Sequence, residues 1–338
     1  MTTTRSNPAK KLPTVAQDSW RRFLEAYEPL RTQLYRYCRY LTRSPWDAED
    51  LTQDALARAF VTLARMGGQE PANPRAWLFR IASNLWIDEK RRPRELPAAA
   101  PEPAGVGAAE PRASREAAGT LLVTLSPQER AAVVLKEVFD FSLEEIAESL
   151  ATTTGAVKAA LHRGRGKLAE DPAPEATRAP VPAALDAFCA AFNAGDIDRL
   201  TALLLDSAVV EVVGATTQYG PEAARRTVLF GMLFGFQRLA DPKARAFFDA
   251  RFAEGALPEA PPRVEARLHR GRWLLLHWYQ HADGEAVRAV TTLTLDGARV
   301  ARLENYFYNP DFLLDLAGEL GVPARVNGHR WWIPEVQS

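Results

Sequence analysis

At 338 residues, 47% of them hydrophobic, the chain is long enough for two or three domains with cores of their own. Its 42 Lys and Arg balance 42 Asp and Glu, so no global field draws it to nucleic acid or to an acidic membrane, and any such binding has to come from local patches. The two cysteines, Cys38 and Cys189, sit in apolar helical patterns, which argues against a disulfide framework, and there is no Cys-His zinc pattern. No metal and no cofactor is expected. The start MTTTRSNPAKK has no apolar core, and no run approaches the roughly 18 apolar residues of a membrane span. A reducing, cytoplasmic setting without membrane contact is the expectation.

In chain order, Phe23, Tyr27, Leu30, Leu34, Tyr37, Cys38 and Leu41 recur every three or four positions and predict a helix over Trp20 to Leu41, with a possible bend at Pro29. Ser44-Pro45 starts a second helix. Ala48, Leu51, Ala55, Ala59 and Leu63 face its core side, while Asp47, Asp50, Gln53, Asp54 and Arg58 lie elsewhere, with Asp50, Gln53 and Asp54 on one polar face. That face either meets solvent or docks a basic partner helix. After the Gly- and Pro-rich loop 67–74, RAWLFRIASNLWIDEKRR predicts a third helix. Trp77, Leu78, Ile81 and Leu85 supply its apolar contacts, and Arg80, Asn84, Lys90, Arg91 and Arg92 its polar and basic groups. Aromatics interleaved with cations suit single-stranded DNA, although Trp77 taken singly reads as core before it reads as a base-stacking platform.

Residues 93–114 hold the Ala-, Pro- and Gly-dominated stretch PRELPAAAPEPAGVGAAEP and read as a flexible linker. Helices resume near Arg115. Ser126-Pro127 with Glu129 starts another, and Ser142 to Leu168 reads as a helical pair about a four-residue break. Ser142 caps its first member and Thr153 its second. In the second, Val157, Leu161, Gly164 and Leu168 face inward and Lys158, His162, Arg163, Arg165 and Lys167 face out, as a helix lying in a major groove requires. Ala151 stands in the turn where glycine would more easily turn left-handed. A plain helical hairpin with a solvated basic side is the alternative.

DAEDLTQDALARAF, RAWLFRIASNLWIDEKRR and LSPQERAAVVLKEVFDFSLEEIAESLATTTGAVKAALHRGRGKL, in that order, resemble the extracytoplasmic-function sigma factors of the sigma-70 family over roughly Trp20 to Leu168. The resemblance implies an all-α region 2 at 15–92 and a helix-turn-helix region 4 at 115–170. Asp47, Asp50, Gln53, Asp54 and Arg58 would bind core RNA polymerase at the β′ clamp helices, with the β flap as a further contact. Asn73, Trp77, Arg80, Asn84, Lys90, Arg91 and Arg92 would meet the −10 promoter DNA, with unstacked bases captured by a form of base flipping. Thr153, Lys158, Ala159, His162, Arg163 and Arg165 would face the −35 element. The chain departs from the family pattern at Ala151-Thr152 and at Ala159-Ala160, which moves −35 readout toward backbone contacts and groove shape.

A second Pro-rich linker at 171–180 precedes a change of class. Ala184 to Asn193 predicts a helix stopped by Gly195, DIDRLTALLLD a helix starting at Asp196, Val209 to Val213 a strand, and Pro221 to Phe236 a helix, while Arg238 to Phe252 is ambiguous. VEARLHR, RWLLLHWYQH, EAVRAVTTLTLD and ARVARLENYFY alternate like strands, joined at Arg270-Gly271, Asp283-Gly284 and Asp296-Gly297. The expected fold class is multidomain, with two all-α sigma domains and an α+β domain at 181–308. AFNAGDIDRLTALLLDSAVVEV and the terminal hairpins resemble the SnoaL-like group of the ketosteroid isomerase fold, which implies a conical cavity. Glu211, His277, His281, Asp283 and Glu304 are the ionisable candidates there.

Residues 309–338 form a last helix and tail. Some sigma factors of this kind carry an Asn-Pro-Asp motif there that contacts the sigma core, which would make Asn309, Pro310 and Asp311 a regulatory dock and imply an intramolecular contact between the C-terminal and sigma domains. This chain has Phe312 where that subset has lysine, and it lacks the subset's Asp-Gly-Gly-Gly-Lys motif. In the plain alternative, Asn309 caps a helix that Pro310 begins. The expected function is a promoter-specificity factor, not an enzyme, regulated in cis by the C-terminal domain. The alternative is a small-molecule-binding or enzymatic SnoaL-like domain fused to a DNA-binding controller.

Overall fold

The computed structural model describes residues 12–66, 71–91, 125–166, 181–234 and 261–329. They fall into two compact units, a helical one up to residue 166 and a sheet-bearing one from residue 181. The linkers, the helix expected near Arg115, the stretch from Arg238 to Phe252, and Trp331 and Trp332 lie outside the described residues.

In the helical unit α1 spans Leu12–Thr42, starting earlier than the apolar spacing suggests and running on through the exposed Pro29. Phe23, Tyr27, Leu34, Tyr37, Cys38 and Leu41 are buried as expected, while Leu30 is half-exposed. Helix α2, Pro45–Arg65, starts where Ser44 accepts from the Asp47 amide, and it buries Ala48, Leu51, Ala55 and Ala59. Helix α3, Pro74–Arg91, packs Leu78, Phe79, Ala82 and Trp86 inward. The Tyr37 hydroxyl meets Ser83 Oγ at 2.6 Å, and its ring stacks on Phe79 at 4.7 Å. Burial of the Cys38 thiol pushes its pKa up to about 12, so it remains an unreactive core group.

Three shorter helices complete this unit: α4, Pro127–Glu137; α5, Leu143–Ser149; and α6, Thr154–Gly166. Both α4 and α5 open with capping boxes, Ser126 with Glu129 and Ser142 with Glu145, so two orphan N–H groups are satisfied at each start. Between α5 and α6 the backbone of Ala151 is left-handed at φ 48°, and the Thr152 amide returns to the Ala147 carbonyl at 2.9 Å. Val157, Ala160 and Leu161 form the buried side of α6.

The second unit begins with α7, Ala183–Asn193, and α8, Ile197–Ala202, which Asp196 caps through the Arg199 amide. The sequence predicts that α8 continues through LLLD. Instead strand β1 starts at Leu204, because Leu204 pairs with Val300 and is wholly buried, so tertiary pairing overrides helical continuation. Strand β1, Leu204–Val212, turns into β2, Thr216–Tyr219. Helix α9 then runs as Pro221–Ala224, a π-turn Arg225–Leu229 and Phe230–Phe234.

The strands β3, Arg263–His269; β4, Arg272–His281; β5, Gly284–Asp296; and β6, Arg299–Tyr306 follow. They complete one sheet in the order β2-β1-β6-β5-β4-β3, antiparallel except for β1 beside β6. At the β3–β4 turn Arg270 and Gly271 both have positive φ, 49° and 72°, as a two-residue type I′ hairpin needs. Leu185, Phe188 and Phe192 of α7 pack with Val210, Leu275 and Leu303 of the sheet. Helix α10, Pro310–Leu320, ends at Gly321 with φ 66° and seats Phe312 against Tyr306 at 4.5 Å. The α+β expectation is borne out in these residues.

Candidate polymerase and promoter interface

The polar side of α2 is built by helical spacing. Asp47, Asp50, Asp54 and Arg58 are exposed along it, three or four residues apart. Gln53 is half-buried and donates to Glu49 Oε1 at 3.0 Å, while Glu49 is itself buried and held by Arg31. Partial desolvation and then the Glu89 carboxylate hold the Asp54 pKa above the ordinary carboxylate range. Glu89, from α3, therefore extends this acidic face. Nothing in the α2 pattern announces it, because it comes from a different helix.

On α3, Asn73 does two jobs. Its Oδ1 accepts from the Ala76 amide at 3.0 Å, an N-cap, and its Nδ2 reaches Glu145 Oε1 at 3.4 Å. Trp77 is half-buried beside Tyr27, with ring centroids 6.2 Å apart. Arg80 is half-exposed, 4.0 Å from Glu148, while Asn84, Lys90 and Arg91 are exposed. Arg92 lies outside the described residues. Trp86 is core, with the Arg130 guanidinium over its ring at 5.3 Å.

On α6, Thr153 Oγ1 accepts from the Ala156 amide at 3.1 Å, so the expected cap forms. Lys158, Ala159 and His162 are exposed, and Arg165 continues the helix. Arg163 also lies on the outer side, but its Nε donates to Glu129 Oε1 at 2.5 Å. Glu129 is nearly buried and its other oxygen accepts the Ser126 amide at 3.0 Å, so one carboxylate closes the α4 cap and holds an arginine of the outer face.

In the second unit Asn309 is buried, and its side chain makes no cap bond although Pro310 opens α10. Asp311 lies 3.5 Å from His329 Nε2. The five ionisable candidates separate. His277 is buried, donates to or accepts from Thr291 Oγ1 at 2.8 Å, and meets the Phe192 ring edge-on at 5.1 Å, so it faces α7. Asn305 also donates to Thr291 Oγ1, at 2.9 Å. Desolvation pushes the His277 pKa from 6.5 down to about 3, so the ring is neutral at ordinary pH. Glu211 and Glu304 share Arg302, at 2.7 and 2.9 Å, with Glu211 raised first by burial. Asp283 pairs with Arg325. Burial lowers the His281 pKa.

The sigma-70 region 2 model matches residues 16–95 and the sigma-70 region 4 model residues 115–168. The RNA polymerase sigma-E factor of Streptomyces coelicolor is 34% identical over 154 residues, covering 44% of this chain and 86% of that protein. ECF RNA polymerase sigma factor SigJ of Mycobacterium tuberculosis is 31% identical over 220 residues, covering 59% and 67%. This chain belongs to the extracytoplasmic-function sigma factors. SigG of Mycobacterium tuberculosis is 31% identical over 229 residues, and the chain spans 61% of its length. Among solved structures, the SigJ crystal structure is similar over 86% of this chain and 98% of that one, at 24% identity and a TM-score of 0.32. The sigma factor RpoE in complex with the anti-sigma factor NepR, from Bartonella quintana, covers 43% of this chain and 93% of that one at 26% identity and a TM-score of 0.34. The helices α1 to α3 are thus sigma region 2, and α4 to α6 lie in sigma region 4.

Proposed function

We propose that the protein is an RNA polymerase sigma factor that acts in the cytoplasm, directs promoter-specific initiation, and is regulated in cis by its SnoaL-like C-terminal unit. The observation that carries the reading is the pairing of both sigma regions, in order, with an exposed acidic face on α2 and an exposed basic side on α6. Asp47, Asp50, Gln53, Asp54 and Arg58 dock the β′ clamp helices, and region 4 meets the β flap. Neutralising the repulsion between Asp54 and Glu89 would favour a cationic partner helix. Trp77, Arg80, Asn84, Lys90 and Arg91 meet −10 DNA, with Asn73 shaping the start of α3. Lys158, Ala159 and His162 lie toward the −35 element, with Arg163 available once it leaves Glu129. Asn309 to Asp311 form the regulatory dock.

The protein transfers no group itself in this reading. Purified core polymerase, a randomised promoter pool and this protein should give discrete, protein-dependent RNA starts. Absence of specific starts overturns the reading. Deleting residues from Pro310 onward should change the output of a selected promoter, and an unchanged output removes the cis-regulatory role.

One observation favours a small-molecule site in the C-terminal unit instead, namely the polar trio His277, Thr291 and Asn305 buried on the α7 side of the sheet. A thermal-shift screen with hydrophobic ligands tests it, and stabilisation lost in Thr291→Val would support it.

A further inference from the structure

Glu49 lies in the core of region 2 although it carries a charge. It is 1% exposed on α2, among the buried Ala48, Leu51, Thr52 and Ala55. A lone carboxylate there would be costly, and Arg31 of α1, itself 13% exposed, compensates it by bonding Glu49 Oε1. For the core alone an apolar pair would serve as well, because buried ion pairs replaced by well-packed apolar side chains often lose no stability. What the pair adds lies toward the surface. Gln53, one helical turn on, is half-buried at the border of the polar side of α2, and its Nε2 donates to the same Glu49 Oε1 at 3.0 Å.

An amide has a donor end and an acceptor end, and an anion selects between them. Turned the other way, Gln53 would set its carbonyl oxygen against Glu49 Oε1, two acceptors in contact where water is scarce. A hydrogen bond to a charged acceptor is also roughly twice as strong as one to a neutral acceptor, and Arg31 keeps that acceptor in place. Gln53 therefore keeps its carbonyl oxygen for whatever docks on α2. Its neighbours Asp50 and Asp54 are exposed carboxylates, and Glu89 of α3 adds another beside Asp54. From Asp50 to Asp54 the face thus presents acceptors, two of them charged and one neutral.

We propose that Glu49, clamped by Arg31, is the positioning residue of the polymerase-docking side of α2, fixing the Gln53 amide so that its carbonyl oxygen accepts a guanidinium N–H of a basic partner helix. The proposal rests on the sigma reading for the identity of that partner. A side chain ordered before docking has less freedom to lose, so untying Gln53 weakens binding through lost order as well as a misdirected acceptor.

The test uses the full chain and core RNA polymerase. Arg31→Met with Glu49→Leu removes both charges together and keeps the seam between α1 and α2 filled. Its urea midpoint should match that of the natural chain, while core polymerase binds about 2- to 10-fold more weakly. Gln53→Ala should lower affinity by at least as much. The three changes combined should bind no more weakly than Gln53→Ala alone, because Glu49 acts through Gln53. A merely structural ion pair would lower affinity by the same factor with or without Gln53. NMR of the chain isotope-labelled at glutamine side chains gives a second reading. The Gln53 Nε2 protons, identified by their loss in Gln53→Ala, should exchange slowly in the natural chain and be averaged in the Arg31→Met, Glu49→Leu variant. Equal losses in the two backgrounds, unchanged affinity in Gln53→Ala, or averaged Gln53 protons in the natural chain overturn the proposal. If the paired variant fails to fold, Gln53→Ala and the spectrum of the natural chain decide it. A chain with held Gln53 protons that does not bind core polymerase sinks the sigma reading alone, and one that binds with averaged protons sinks the positioning role alone.

Discussion

The helical unit and the sheet unit both bury cations and polar groups, and they complete them in opposite ways. In the helical unit Arg75 and Arg130 end on carbonyls and ring faces belonging to the other sigma region, where Phe79 of α3 also meets Phe139 and Phe141 at 5.1 and 5.4 Å. In the sheet unit Arg288 is fully buried, its Nε donates to Asn327 Oδ1 at 2.9 Å, and Asn327 Nδ2 returns to the Arg288 and Phe307 carbonyls at 2.8 and 3.0 Å. That network closes within one fold and pins the segment after α10 to β5, beside the Arg325 amide bond to the Val287 carbonyl. Contacts of the first kind join two regions of one unit. A closed network suits a platform.

The largest effect should come from breaking that platform. Asn327→Ala removes an acceptor from a buried guanidinium and a donor from one buried and one half-buried carbonyl, and should cost about 3 kcal/mol. Chemical denaturation followed by the Trp273 and Trp278 fluorescence of the sheet unit would measure it. A loss below about 1 kcal/mol would mean that the network is not the closed platform described.

Next in size is acid sensitivity confined to the sheet unit. His277 is neutral when folded because burial holds its pKa near 3 against 6.5 in an open chain. As pH falls below 6.5 the unfolded chain binds a proton that the folded one refuses, so stability present above that pH is lost on the way down toward 3. The slope approaches about 1.4 kcal/mol per pH unit. His277→Gln should flatten it while lowering stability at neutral pH, and an unchanged slope would assign the acid sensitivity to another group.

In the helical unit the matching buried polar pair is smaller. Tyr37→Phe deletes the 2.6 Å contact with Ser83, a hydroxyl pair inside region 2, and should cost about 1 kcal/mol because Ser83 Oγ still donates to the Phe79 carbonyl at 2.7 Å. Urea denaturation of region 2 would show it, without a change in duplex binding. A change in duplex binding would tie this core pair to the joint between the regions.

How much of this was legible follows from where each signal lies in the chain. Ser44-Pro45, Ser126-Pro127-Glu129, Ser142-Glu145 and Thr153 are local chemistry, and all four helix starts form where the sequence puts them. The hairpin at Arg270-Gly271 is equally local. Strand β1 begins at Leu204, against the helical pattern of LLLD, because its partner Val300 lies 96 residues away, where no local propensity reports it. The site shows the same division. The outer face of α2 is a helical period, whereas Glu89 beside Asp54 and Glu129 on Arg163 come from other helices. The basic side of α6 was readable as charge, but that one of its arginines is already engaged was not.

The smallest effect concerns the turn between α5 and α6. Ala151 holds φ 48°, a conformation that costs an L-residue with a Cβ roughly 1 kcal/mol and glycine little. Ala151→Gly relieves that strain but adds freedom to the unfolded chain, so the net gain should stay below about 1 kcal/mol. The turn also sets the angle of α6 on α5 through the Thr152 amide on the Ala147 carbonyl, a bond that glycine preserves. Stability should therefore rise slightly in urea titrations while −35 duplex binding stays constant. A drop in binding with stability gained would show that the strained turn aims α6, which would make Ala151 a specificity element and not merely a tolerated one.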